Sequence, residues 1–179
     1  MIIVSAEENG KALAGCRIHI ADGKTPLPIE TAVGDMDSRI YTMVEERRAK
    51  GTGEFCGLWN SWEIAGLGIG SVFLGRISIA ISTLLNLDTM FGLCAPATYR
   101  NSIRGGFRVI SEIGINGKFY YPKENLTATA LLIDDTHGLG STHPDEIPNI
   151  LQLREKKKQN IEFIGSNGLA INLNIDLSL

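Results

Sequence analysis

A chain of 179 residues, 44% of them hydrophobic, carries enough apolar material for one compact domain over residues 1–179. Its formal net charge of −3 argues against general nucleic-acid binding, and neither an ~18-residue apolar span nor a secretory signal is visible. Cys16, Cys56 and Cys94, odd in number and scattered, fit reduced thiols and a cytoplasmic setting.

In chain order, Met1 to Val4 and Leu13 to Ala21 read as strands around a Glu7-Glu8-Asn9-Gly10 turn. Asp22 to Asp37, with Pro26 and Pro28, reads as a loop. Ser38 can cap a short helix with Ile40, Met43, Val44 and Arg47 along one side. Glu54 to Trp59 is a strand. Ser71 to Leu85 is a helix, with Phe73, Ile77, Ala80, Ile81 and Leu84 at helical spacing. Thr89 to Cys94 is a buried strand, and Ala97 to Gly105 a helix. Arg108 to Ile113 and Leu126 to Ile133 are strands, with an Asn116-Gly117 turn between them. His137 to Pro148 is irregular, and Asn160 to Leu179 holds a hairpin turning at Gly165 to Gly168. The pattern predicts a mixed α/β (α+β) fold: a mostly antiparallel sheet flanked by helices.

The most informative stretch is Ala65-Gly66-Leu67-Gly68-Ile69-Gly70-Ser71, which ends one strand and opens a helix. Glycines there let a ligand approach the backbone. The first amides of a helix have no partner within it and attract anions. The spacing is not the dinucleotide Gly-x-Gly-x-x-Gly, and no Gly-Lys-Ser/Thr follows, so both nucleotide readings are poor.

These segments resemble the GCN5-related N-acyltransferase superfamily, in which an Arg/Gln-x-x-Gly-x-Gly/Ala turn holds the pyrophosphate of coenzyme A. Ala65 stands where that family has Arg or Gln. Ala97 to Phe107 resembles the family's later helix ending in Gly-Phe. Ser102 occupies the position of its general-acid Tyr, and Tyr99 lies one turn earlier. A narrower resemblance is to acyl-homoserine-lactone synthases and long-chain N-acyl amino acid synthases. It rests on Gly15-Cys16-Arg17-Ile18-His19-Ile20, on Thr25-Pro26-Leu27, on Ala95-Pro96-Ala97, and on Glu54 without the Arg of Glu-x-x-Arg. The first strand and helices of the family have no counterpart ahead of Met1. A longer chain, a partner chain, a homo-oligomer or a reduced variant would each account for that.

The resemblance implies an N-acyltransferase moving an acyl group from acyl-CoA or an acyl-carrier-protein thioester to a small amine such as an amino acid. An acetyl-CoA-dependent acetyltransferase and a non-catalytic CoA-binding scaffold are the alternatives. The expected cofactor cradle is Leu58, Trp59, Asn60, Gly66, Leu67, Gly68, Ile69, Gly70 and Ser71. Glu54 is the candidate base, or an ordinary strand-edge carboxylate. Ser102 or Tyr99 is the candidate acid. Arg17 is expected to hold an acceptor carboxylate, or to form a cross-strand salt bridge. Arg100 and Arg104 are expected at the cleft mouth, where an acidic carrier protein would dock. Trp59 lines an acyl tunnel or packs in the core. No metal is expected, because Asp134, Asp135, His137 and His143 fit no standard ligand spacing.

Overall fold

A computed structural model describes residues 1–165 and 167–178. The predicted hairpin turn therefore lies partly outside the described residues, at Ser166, as does Leu179. Strands β1 (Ile2–Glu8) and β2 (Lys11–Ile20) pair antiparallel. Asn9 and Gly10 turn between them at φ of 51° and 75°, the two-residue turn whose twist matches its strands.

The predicted loop before Ser38 instead contains helix α1 (Pro28–Val33). Pro28 sits in the first helical turn, where its missing N–H costs nothing, and Glu30 reaches back to accept from Leu27 N at 2.6 Å. Helix α2 (Arg39–Arg48) follows Ser38, but Ser38 makes no side-chain cap; the Asp37 carboxylate accepts from Arg39 N instead. After β3 (Thr52–Asn60) comes a short 3₁₀ turn, then a π-helical turn (Ile69–Phe73) that runs into α3 (Leu74–Ser82). Next are β4 (Thr89–Cys94), α4 (Pro96–Arg104) and β5 (Arg108–Val109). The strand predicted over Arg108 to Ile113 is cut to two residues because the chain turns there, with Gly117 N bonding Ile113 O at 2.8 Å. Then follow β6 (Lys118–Tyr120) and β7 (Thr127–Ile133). Helix α5 (Ile147–Glu155) buries Ile150 and Leu153, and β8 (Lys158–Ile164) pairs with β9 (Ala170–Asp176).

Seven strands form one sheet in the order β1-β2-β3-β4-β7-β5, with β6 also on β7. All its pairs are antiparallel except β3 with β4. Each face carries its own core. The π turn and helix α3, backed by α5, pack Phe73, Ile77 and Ile81 with Cys16, Ile18 and Met90. The other face packs Ile29, Ile40 and Val44 of α1 and α2 on Phe91, Ala130 and Leu132. Each such side chain stabilises the fold by roughly 1.5–3 kcal/mol. The small hairpin joins the first core through Phe163, whose ring lies 5.3 Å from that of Phe73.

Candidate active site

The site begins where two parallel strands part. β3 and β4 pair from Thr52↔Thr89 to Phe55↔Gly92 and no further. Beyond that, Cys56 to Leu58 and Leu93 to Ala95 face one another across a cleft of ≈ 350 Å³. A bulge in β3 causes the parting. Arg17 opposes Cys56 but Gly15 opposes Trp59, so β3 carries one extra residue, and Gly57 takes φ of 60°. Such a bulge bends its strand and strengthens the local twist.

One helix face closes the cleft from above. Ser71, Val72, Gly75, Arg76 and Ile79 of the π turn and α3 line it. Thr98, Asn101 and Ser102 of α4, with Gly105 just after it, form the far wall, and Phe107, Leu131 and Ile150 the apolar floor. A Cβ on Gly75 would meet nothing within 4 Å. A glycine inside a helix costs about 1 kcal/mol against alanine, and here it keeps open space over the cleft.

The glycine turn opens this helix as the sequence predicts. Gly66 and Gly68 take φ of 80° and 85°, the left-handed region that a Cβ disfavours. Gly70 is small for a different reason: a Cβ there would come 2.6 Å from Asn60 Oδ1. Among the described residues, the amides of Gly68, Ile69, Gly70 and Ser71 donate to no protein acceptor, although Gly68, Ile69 and Gly70 are buried. Buried amides are almost always paired, and a row of free donors at a helix start is an arrangement that anions pair with. Leu67 differs from the expectation: its amide is spent on Ile64 O at 3.2 Å.

Glu54 is buried on the opposite face of the sheet from α3, and its carboxylate accepts from Ile29 N at 2.6 Å. That amide is a first-turn donor of α1, so Glu54 caps the helix packed on its own face of the sheet. Burial nevertheless pushes its pKa up to about 8, the Ile29 hydrogen bond opposing and the Glu30 charge assisting. His19 is its cross-strand neighbour, and Cys56, two residues on, shares its face and reaches the cleft. Burial, helped by the Glu54 charge, pushes the Cys56 thiol up to about 11. Burial likewise raises Cys94 to about 11. Neither thiol is a ready nucleophile.

Of the residues singled out in the sequence, Leu58, Ser71, Ser102 and Arg104 line the cleft together. Ser102 Oγ is turned to Thr98 O at 3.1 Å. Tyr99 and Arg100 are exposed on α4 and do not line it. Trp59 is also displaced from its expected place. The bulge reverses the in–out alternation of β3, so the Trp59 side chain lies on the Arg17 face, away from the cleft between β3 and β4. Arg17 forms no salt bridge among the described residues, contrary to the cross-strand alternative.

Sequence reasoning missed Gly75, Asn101 and an ion cluster at the cleft. Glu146 accepts from Arg76 Nε at 2.6 Å and from Arg104 Nη2 at 3.2 Å, and Arg104 also reaches Asp145. Burial acts to raise the Glu146 pKa, but Arg76 and Arg104 outweigh it and hold it below the usual range. No local signal links residues 70 positions apart. Among the described residues no group of three or more His, Cys, Asp or Glu could hold a metal ion, and no helix is long and apolar enough to cross a membrane.

No protein-family model matches this sequence, and no curated protein does. Among solved structures, the chain is similar to an N-acyl amino acid synthase from uncultured soil microbes, at 14% identity and a TM-score of 0.57, over 79% of this chain and 75% of that one. It is also similar to a CoA-dependent acyl-homoserine lactone synthase, at 15% identity and a TM-score of 0.47, over 84% of this chain and 67% of that one. The first of these likenesses carries the fold. The chain shares the overall fold of that synthase, and its own sheet is mostly antiparallel with helices on both faces.

Proposed function

We propose that this chain is an N-acyltransferase that moves an acyl group from acyl-CoA to the amino group of an amino acid. The carrying observation is the row of amides from Gly68 to Ser71, unpaired among the described residues, at the head of an apolar cleft between β3 and β4. The pyrophosphate of coenzyme A would lie on those amides, its pantetheine arm between the parted strands, and its acyl chain against Phe107, Leu131 and Ile79. No metal takes part in this reading.

In the reaction the acceptor nitrogen attacks the thioester carbon, forming the C–N bond. Backbone amides of β3 beyond the bulge stabilise the oxyanion. Glu54, as carboxylate, takes the amine proton through water, since its buried side chain does not line the cleft. The C–S bond then breaks, and the departing thiolate takes a proton from solvent, directly or relayed through the Ser102 hydroxyl, which solvent reprotonates. The similar N-acyl amino acid synthase supports this chemistry through its fold. The placement of Tyr99 outside the cleft leaves Ser102 as the wall residue for the acid role. An acyl-carrier protein as donor would dock at exposed Arg100, since Arg104 is already held by Glu146 and Asp145.

Calorimetry with octanoyl-CoA, acetyl-CoA and CoA tests the donor, and mass spectrometry of products over a panel of amines tests the transfer. Binding of acyl-CoA with formation of an N-acyl amino acid is the expected result. Binding without transfer to any amine would favour the scaffold reading. No binding of any thioester would overturn the proposal.

A further inference from the structure

The charged side chains that line the cleft belong to one cluster: Arg76 of α3, Arg104 at the end of α4 and Glu146 just ahead of α5. The other lining residues are uncharged, so the cleft wall carries two cations against one anion. Each member of the cluster sits beside an apolar lining residue. Ile79 follows Arg76 by three positions and Ile150 follows Glu146 by four, spacings that share a helix face, and Phe107 follows Arg104 by three. Glu146, with its side chain 8% exposed, accepts from Arg76 Nε at 2.6 Å and from Arg104 Nη2 at 3.2 Å. Exposed Asp145 takes the same Nη2 of Arg104. Among the described residues, both terminal nitrogens of Arg76 and the Nε and Nη1 of Arg104 are left without a protein acceptor. A plain alkyl end pressed against them would strip their water and return nothing. A carboxylate would replace that water with paired, charge-assisted hydrogen bonds.

We infer that this cluster is a second anion subsite in the donor cleft, and that it takes a carboxylate at the far end of the acyl chain. The donor class is then an ω-carboxyacyl thioester. This rests on the acyltransferase reading and adds the acyl class to it. Glu146 holds the two guanidiniums in place and offsets part of their charge when the cleft is empty of donor. The phosphates of coenzyme A are the other source of an anion. Two observations favour the acyl end. The amides of Gly68 to Ser71 already offer the pyrophosphate a seat, and Arg76 lies five residues beyond Ser71, ~7.5 Å further along the helix at ~1.5 Å per residue. Arg76 and Arg104 also adjoin Ile79 and Phe107, the residues against which the acyl chain lies on that reading.

The test is calorimetry on the intact chain with matched pairs of thioesters: butanoyl- and butanedioyl-CoA, hexanoyl- and hexanedioyl-CoA, octanoyl- and octanedioyl-CoA. At one chain length or more, the dicarboxylic member should bind at least about tenfold tighter, about 1.4 kcal/mol. Arg76→Met and Arg104→Met should each shrink that ratio to about twofold or less. Glu146→Gln keeps an acceptor for both guanidiniums but removes the competing charge, so it should widen the ratio. Wild-type binding without a preference for the dicarboxylic member at any length would overturn the assignment, whatever the variants do. So would an equal weakening of both members by Arg76→Met that disappears with 3′-dephospho-CoA esters, because the anion would then be the donor's own phosphate. The two failures are separable. If the plain esters bind and their acyl groups are transferred while the ratios stay near one, only the acyl class falls; if no thioester binds, the underlying reading falls with it.

Discussion

Replacing Gly75 by alanine should make the protein more stable and worse at binding its donor. Gly75 lies within α3 at ordinary helical φ, and a Cβ there meets no atom within 4 Å. Alanine is favoured over glycine in a helix by about 1 kcal/mol. For a chain of 179 residues that corresponds to a rise in Tm of roughly 2–4 °C. The new methyl projects into the cleft between Ser71 and Ile79. Forcing a methyl into a space that a ligand fills costs about 1–3 kcal/mol, or roughly 5- to 150-fold in Kd. Differential scanning fluorimetry reads the first effect and calorimetry with octanoyl-CoA the second. Gly75→Leu should abolish binding while keeping the fold. Unchanged octanoyl-CoA affinity in both variants would refute the cleft as the donor site. A lower Tm in the alanine variant would refute the open space above Gly75.

Glu54 gives a pH prediction with a definite sign. Its folded pKa is raised from 4.5 to about 8, so the stability it contributes is full below about 4.5 and is lost as pH climbs to about 8. Glu54→Gln keeps an acceptor for Ile29 N and removes that loss, so its Tm advantage over the wild type should be larger at pH 9 than at pH 5. The same substitution should lower kcat by about 10²- to 10⁴-fold and remove the rising limb of the pH–rate profile near 8. A variant that keeps both activity and the limb would show Glu54 to be a helix cap alone. Glu146→Ala leaves Arg76 and Arg104 side by side without their shared carboxylate, and should cost roughly 1–3 kcal/mol in urea unfolding. An unchanged unfolding midpoint would mean the cluster is only a solvated surface. Gly68→Ala forces a Cβ onto φ of 85° and should lose about 1–2 kcal/mol of stability together with CoA binding. Normal CoA affinity in that variant would clear the turn of an anion-holding role.

What could be read from the sequence, and what could not, divides by distance along the chain. The glycine turn, the helix after it and the buried strand over Thr89–Cys94 are local patterns, and each stands where its pattern put it. Helix α1 was hidden because proline reads as a breaker, whereas Pro28 occupies the helix start. Trp59 was misplaced because strict alternation puts it on the face of Phe55, and one extra residue at Gly57 reverses that. Nothing near Gly57 in sequence announces the bulge. Glu54 could be found as an isolated carboxylate in a strand, but its bond to Ile29, 25 residues away, could not. The Arg76–Glu146–Arg104 cluster is harder still, since it joins three elements that only packing brings together.

The single extra residue in β3 also bears on the order of events. In an unbroken sheet, β3 and β4 would stay paired along their length and leave no cleft between them. On the proposed reading, the parted strands would hold the thioester with its carbonyl open to an incoming amine. Donor and acceptor would then be bound together, since neither cleft thiol is poised to store the acyl group between visits. The kinetics that follow from this layout are those of a ternary complex. Initial-rate lines for donor and acceptor should converge rather than run parallel.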